Sequence, residues 1–368
     1  MSKLTRPTTL SVDLKAIQSN AKYAKRCAPN AELLACVKAD AYGHGMTEVA
    51  QALAIEVDAF GVASLDEALS LKTAGIDQGI LLLEGCFDCE ELKEAMVQGL
   101  WIVVHSHHQI EQLQQLEQST QSEKQLNVWL KMDTGMHRLG FAPDEYADAY
   151  MSLNNLKVVG DVVHMTHFAC AEELDNPLTE SQIATFDRIA GELPGQGSLA
   201  NSAGILSWQQ AHRDWVRPGL MLYGVSPFAF GQDCAQHLSP AMSLTTQVIA
   251  LQNVPAGQGV GYNQAWVASR DSRIAVAAIG YGDGYPRNTK NGAPVLVDGA
   301  RAQLVGHVAM DMMIIDVTDF PQVEVGAKVE LWGKNLSVAE VAEYSGYSSY
   351  ELLTRVTPRA RREYIEQA

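Results

Sequence analysis

From residue 10 to about 224, short apolar runs alternate with longer segments whose apolar residues recur every three or four positions. The runs are ELLACVK (32–38), AFGVAS (59–64), GILLLEG (79–85), WIVVHS (101–106), LNVWLKMD (126–133), VVGDVVHMTHF (158–168), SLANSA (198–203) and WVRPGLMLYG (215–224). Between them, DEALSLKTA (66–74) and TESQIATFDRIAGEL (179–193) have helical spacing. Continuous apolar strands joined by helices predict a parallel sheet covered on both faces. Eight strands suggest a (β/α)8 TIM-like barrel, with a doubly wound sheet as the competing α/β arrangement. The strand ends favour the barrel. Lys38, Ser64, His105, Lys131 with Asp133, His164 with His167, Asn201 with Ser202, and Arg217 all fall near C-terminal ends, which a barrel gathers at one mouth.

After residue 235 the pattern changes. SLTTQVIALQNV, RIAVAAIGYG, PVLVDGARAQLVGHV and KVELWG read as strands, punctuated by the turn segments VPAGQG, YGDGYPRN and VDGA. Helix returns in SVAEVAEYS and in the last segment. The expected division is therefore a barrel over 1–235 and a mainly β domain over 236–368. No internal repeat or low-complexity segment interrupts this plan.

The charge balance narrows the partners. Lys and Arg number 27 against 43 Asp and Glu, a formal net charge of -16, which repels nucleic acid and anionic membranes. Any anionic ligand must be held by locally placed cations. No run of 18 apolar residues predicts a membrane span, and MSKLTRPTTLSVDLKAIQSN lacks the apolar core of a signal peptide. Six cysteines, at 27, 36, 86, 89, 170 and 234, are scattered, several within apolar runs; this fits a reduced, cytoplasmic protein.

The most informative segment is LLACVKADAYGHG (33–45). A lysine at the end of an apolar strand is poorly solvated, which lowers an amine's pKa and suits it to form an imine with an aldehyde cofactor. Read from the residues alone, the segment is equally an ordinary strand-to-helix turn with a solvent-facing lysine. Other polar clusters have structural readings. Cys86 and Cys89 form a single C-x-x-C without a partner pair, and His105, His107 and His108 lack a spaced carboxylate or cysteine, so no metal site is expected. Asp133 and the Glu172–Glu173 pair read as solvated or bridging charges. No phosphate-binding G-x-x-x-x-G-K-[ST] or strand-linked G-x-G-x-x-G occurs.

The segment VKADAYGHG (37–45) closely resembles the signature of alanine racemases. The resemblance continues through WLKMDTGMHRLGF (129–141), MTHFACAEE (165–173), NSAG (201–204), VRPGLMLYG (216–224), VGYNQAW (260–266), IGYGDGYPR (279–287), GHVAMDMMIID (306–316) and YELLTRVTPR (350–359), in family order over nearly the whole chain. It implies a barrel that binds pyridoxal 5'-phosphate (PLP) and a mainly β domain. It further implies that Lys38 carries PLP covalently and is the base for D-alanine, with Tyr262 the opposing base for L-alanine. Family members are head-to-tail homodimers in which this tyrosine reaches the partner subunit's cofactor.

By the same resemblance His167 and Arg217 support the acid–base chemistry, Arg217 by meeting the pyridine nitrogen. Tyr42, Ser202 and the backbone at Gly219 hold the phosphate. Arg138 and the backbone of Met310 meet the substrate carboxylate, Tyr281 narrows the pocket, and Lys131 is carbamylated in some relatives. Two departures stand out: Pro358 replaces a phosphate-contacting tyrosine found in some relatives, and His307 stands where an entry-channel arginine is common. The expected function is interconversion of L- and D-alanine in the cytoplasm, supplying D-alanine for peptidoglycan. The alternatives are a racemase acting on serine or several amino acids, a PLP decarboxylase of basic amino acids, and a PLP-binding protein without catalysis.

Overall fold

The computed structural model describes residues 5–230 and 236–366. After a first strand, β1 (Thr9–Asp13), eight parallel strands close into a barrel: β2 (Glu32–Cys36), β3 (Ala59–Val62), β4 (Gly79–Leu82), β5 (Trp101–Val104), β6 (Leu126–Lys131), β7 (Val159–Met165), β8 (Gln196–Ser198) and β9 (Trp215–Val216). Closure comes from the parallel pairing of β2 with β9, Glu32 opposite Trp215 and Leu33 opposite Val216. The barrel expectation is borne out, and the doubly wound alternative is not. Side chains rather than solvent fill the interior: Leu34, Cys36, Leu81, Val103, Val163 and Met165 pack with Trp129 and Trp215, whose ring centroids lie 5.5 Å apart.

The connecting helices begin where the chain supplies an acceptor for the first free N–H groups. Asp13 caps Leu14–Cys27, Ser64 caps Leu65–Thr73 and Asp88 caps Cys89–Gln98. The segment 179–193 forms most of Leu178–Ala190, burying Ile183, Phe186 and Ala190 at helical spacing.

The second sheet contains β10 (Met242–Val254), β13 (Ser272–Ala277), β14 (Pro294–Val297), β15 (Ala300–Val305), β16 (Met313–Asp316), β17 (Lys328–Trp332) and β18 (Arg361–Ile365), with β11 (Gly259–Val260) and β12 (Trp266–Val267) as a separate ribbon. The long β10 pairs with β1, β17 and β13, so this sheet also curls back on itself.

Two expectations need correction. The last segment is helical only over Ser349–Thr354; its end is strand β18, because Arg361–Ile365 finds the backbone of β1 in parallel register. Strand β1 lies on the barrel side of the expected division yet belongs to the second sheet, between β10 and β18. The division itself, at 235/236, and Cys234 fall at residues 231–235, outside the described residues. No helix among the described residues is long and apolar enough to cross a membrane.

Candidate active site

Residues alternate faces along a strand, so Leu34 and Cys36, which point into the barrel, place position 38 on the same inward side. Lys38 then opens an unusual turn. Ala39, Asp40, Ala41 and Tyr42 all have φ between 52° and 55°, a left-handed helical turn that costs L-residues roughly 1–2 kcal/mol each.

Surrounding groups enforce this turn. Glu67 accepts from the N–H of Ala39 at 2.8 Å and of Ala63 at 2.8 Å. Asp40 accepts from the N–H of Met46 at 2.9 Å and from Arg362 at 2.7 Å. The fully buried His44 reaches the carbonyls of Ala41 and Tyr42 through Nδ1, both at 3.0 Å, so Nδ1 carries the proton. Burial pushes the His44 imidazole down to about 4, and its Nε2 has no partner.

The turn forms one wall of a cavity of about 700 Å³ at the C-terminal mouth of the barrel. Lys38, Lys131, Arg138 and Arg217 line it, against the carboxylates of Glu84 and Glu351. This is the local positive charge that an anionic ligand requires in a chain of net charge -16. Arg217 is 3% exposed and has no carboxylate partner among the described residues. It donates instead to Ser198 Oγ at 2.5 Å, the Thr166 carbonyl at 2.6 Å and His167 Nδ1 at 3.4 Å. Burial lowers it to about 10, still far above neutrality, so the guanidinium stays charged. Burial and the cations Arg217, Lys131, Arg138 and Lys38 hold His167 well below the usual imidazole range, so Nδ1 is free to accept. Burial, then Arg217, Arg138 and Lys38, push the Lys131 amine down to about 8.

At the other end of the cavity, Ser202 Oγ accepts from the N–H groups of Gly219 at 3.0 Å and Met221 at 3.2 Å. Both acceptor sites of the hydroxyl are then used, leaving its one O–H to donate. A Cβ on Gly219 would sit 2.7 Å from the Tyr42 hydroxyl; the missing side chain lets that hydroxyl and the Gly219 backbone approach each other. Arg138 is presented by a turn that Asp133 builds, accepting from the N–H groups of Gly135 and His137 at 3.0 Å each.

Lys38, Tyr42, Lys131, Arg138, His167, Asn201, Ser202, Arg217 and Gly219 therefore share one cavity. Four other strand-end residues do not line it. Ser64 caps a helix, His105 turns to the Glu84 carbonyl at 3.2 Å, and Asp133 serves its own turn. His164 points away from the barrel interior, toward Tyr146 at 2.9 Å and the Pro194 carbonyl at 3.0 Å.

Tyr262, Tyr281 and Met310 also lie outside this cavity. Tyr262 and Met310 are 66% and 53% exposed, on loops at one end of the second sheet. Tyr281 donates its N–H to the Ala309 carbonyl at 3.0 Å, which joins its loop to that of Met310. Several lining residues were not anticipated, Cys36 and Tyr350 among them. Cys36 was legible from strand alternation, but Tyr350 comes from the short helix Ser349–Thr354, and nothing in its spacing points at a barrel mouth.

Comparisons with known proteins agree with this arrangement. Residues 12–227 match the family "Alanine racemase, N-terminal domain", and residues 241–364 match "Alanine racemase, C-terminal domain". A catabolic alanine racemase of Pseudomonas putida is 48% identical over 360 residues, covering 98% of this chain and 99% of that protein. The crystal structure of the biosynthetic alanine racemase of Pseudomonas aeruginosa superposes with a TM-score of 0.94 at 45% identity, covering 98% and 100% of the two chains. The alanine racemase of Bartonella henselae, whose structure carries covalently bound pyridoxal phosphate, superposes with a TM-score of 0.89 at 31% identity, covering 98% and 99%. The chain belongs to the alanine racemase family.

Proposed function

We propose that this protein interconverts L- and D-alanine with PLP bound in the barrel cavity and attached to Lys38, in a homodimer whose two active sites each draw on both subunits. The residues present fit the cofactor. Ser202 has an O–H left to donate, the Tyr42 hydroxyl and the Gly219 backbone flank the same corner, and together they suit a phosphate. Arg217 suits the ring nitrogen as a fixed cation, which disfavours a second positive charge on the ring and with it side reactions such as transamination. When bound, PLP supplies the electron sink that acidifies the Cα–H of the amino acid.

Racemisation removes a proton from one face of Cα and returns one to the other, so the protein must provide a proton carrier on each side. Lys38 serves the D-alanine face. Tyr262 of the partner subunit serves the L-alanine face. A tyrosine is a poor base near neutrality, with a reference pKa of ~10, so its phenolate must be favoured by a nearby cation and a hydrogen bond; Arg217 would supply the charge, and the neutral His167 the hydrogen bond. Arg138 and the backbone of Met310 hold the substrate carboxylate, and Tyr281 limits the pocket's width. Lys131, with its lowered amine pKa, is the position for a carbamate that orients Arg138. Loss of the carboxyl mass from its peptide under carbamate-preserving conditions would remove that role.

The observation that carries this reading is the split of the machinery. The residues assigned to the cofactor share a barrel cavity with Arg138, while Tyr262 and Met310 stand exposed on loops of the second sheet's part of the same chain. We place the enzyme in the cytoplasm as a source of D-alanine for peptidoglycan; the described cysteines are all free, as a reducing compartment requires.

Two experiments test the proposal. Incubation with L-alanine in deuterated water should take the optical signal to zero while deuterium enters Cα. Turnover of serine or a basic amino acid with no change in alanine would reassign the substrate. Mixing inactive Lys38→Ala and Tyr262→Phe protomers should restore activity, because one site of each mixed dimer then holds both intact residues. No recovery on mixing, with exchange of subunits verified, contradicts shared sites.

A further inference from the structure

We propose that Asp283, clamped between Arg6 and Arg359, is the positioning residue for the substrate-facing loops of Tyr281 and Met310, with Asp311 as its outer partner. This rests on the shared-site reading, which puts those two residues at the substrate.

Asp283 is fully buried and ends the turn Tyr281–Asp283. Its Oδ2 accepts from the Gly280 N–H at 2.9 Å and from Arg6 at 2.9 Å, while Oδ1 lies 3.3 Å from Arg359 Nε. Both cations also hold the second loop. Arg359 donates to Asp311 Oδ1 at 2.5 Å, and Arg6 donates to the Asp311 carbonyl at 3.1 Å. The loops are joined directly as well: the N–H groups of Tyr281 and Gly282 donate to the carbonyls of Ala309 and Met310, at 3.0 and 2.9 Å. Tyr281 and Met310 are thus each within two residues of a clamped carboxylate.

A purely structural role explains this cluster poorly. Burying the Asp283 carboxylate between two arginines carries a desolvation cost that apolar packing would avoid. What charged, directional hydrogen bonds add is a fixed geometry. That geometry is needed where the two loops must present exposed residues without support from a surrounding core. Met310 is 53% exposed, and the half-buried Tyr281 ring has Arg287 5.9 Å from its centroid. The third strand of the clamp comes from Thr357, whose N–H donates to the Asp283 carbonyl at 3.0 Å. Thr357 and Arg359 follow the helix Ser349–Thr354, whose Tyr350 and Thr354 line the chain's own cavity.

The wall contacts the substrate in its ground state and its transition state alike, so loosening it raises KM and leaves kcat nearly unchanged. Asp283→Asn leaves two half-buried guanidinium groups short of charge around a fully buried position and risks failing to fold. Asp311→Asn carries the test instead, because that side chain is 45% exposed. In the PLP-loaded dimer, Asp311→Asn should raise KM for both alanine enantiomers roughly tenfold, the loss expected for one charge-assisted hydrogen bond. Expected alongside are a kcat within about twofold, unchanged PLP absorbance, and partial recovery in Asp311→Glu. In a Tyr281→Ala background the Asp311→Asn effect should shrink to less than about twofold, since the residue it positions is gone.

If Tyr281→Ala raises KM but Asp311→Asn does not, the positioning role is overturned and the wall reading stands. If Tyr281→Ala leaves KM unchanged, the shared-site reading fails and takes the clamp's function with it. A fall in melting temperature without a change in KM also overturns the proposal, leaving the clamp only a fold element.

Discussion

Gly43 and Gly75 provide a matched pair for testing what holds the lysine turn. Their φ angles are +82° and +81°, so alanine at either position meets the same left-handed penalty, roughly 1–2 kcal/mol. Their surroundings differ. A Cβ at Gly43 would sit 2.3 Å from the Leu353 carbonyl oxygen and 3.1 Å from its carbon, whereas nothing lies within 4 Å at Gly75. Both atoms at Gly43 are backbone of the helix Ser349–Thr354, which cannot swing aside like a side chain, and overpacking of this kind costs about 1–3 kcal/mol. Any stabilisation from restricting the unfolded chain is common to both substitutions and cancels in their difference. Gly43→Ala should therefore be about 1–3 kcal/mol worse than Gly75→Ala. For a chain of 368 residues that is a further fall of roughly 1–4 °C in melting temperature, read by scanning calorimetry. Gly43→Ala should also release PLP faster, since the helix it displaces carries Tyr350 and Thr354 at the cavity. Equal losses of stability in the two variants would refute the argument that this close approach locks the turn.

Other consequences are open to the same kind of test. Ser202→Ala strips the acceptor from two buried N–H groups, at about 1–3 kcal/mol each, and removes the hydroxyl offered to the phosphate; unchanged PLP affinity by fluorescence titration would contradict this. Tyr262→Phe should lower kcat by about 10²–10⁴ with PLP binding intact, and full turnover in that variant would exclude the tyrosine as a proton carrier. His44 has a folded pKa of about 4 against 6.5, so its neutral form is the stabilising one. Its contribution is complete above about pH 6.5 and is lost as pH falls toward 4, about 3 kcal/mol in all. Denaturation midpoints between pH 7.5 and 5 should fall in the parent and fall less in His44→Asn, and parallel profiles would rule out this cause.

The barrel was legible because its strands are buried on both faces and its helices carry a 3.6-residue pattern, both local properties. Lys38 was legible through the resemblance carried by VKADAYGHG; its residues alone left a solvent-facing lysine open, and the inward register two residues beyond Cys36 comes from the fold. Strands β1 and β18 were not. TLSVD and RREYI are short and largely polar, and they become strands only through distant pairing: with each other, Leu10 opposite Arg362, and for β1 also with β10. The left-handed turn was hidden too. Ala-Asp-Ala-Tyr has no strong local preference for positive φ, and the conformation is held by His44 just beyond it and by Glu67 and Arg362 from elsewhere in sequence. A polar residue at a strand end also has two destinations, into the mouth or onto the adjoining helix and loop. Ser64, His105 and His164 took the second because a local acceptor or donor was available to each.

The charges at the mouth explain why these positions repel one another in the protein alone and why that suits the reaction. Arg217 is buried without a carboxylate, its guanidinium solvated by Ser198, Thr166 and Leu199 instead. A carboxylate there would neutralise it and return His167 toward protonation, since Arg217 is the largest of the cations that hold that imidazole neutral. Burial, and then the same field, lower Lys131 to about 8. Beyond the larger cost of burial, the shifts of His167 and Lys131 include unfavourable interaction among like charges, which a bound anion would relieve. A phosphate near Ser202 and a carboxylate near Arg138 would supply that relief at two points of one cavity, and ligand binding would then be linked to fold stability. An acidic chain with a cationic mouth can thus select small anions by local charge alone.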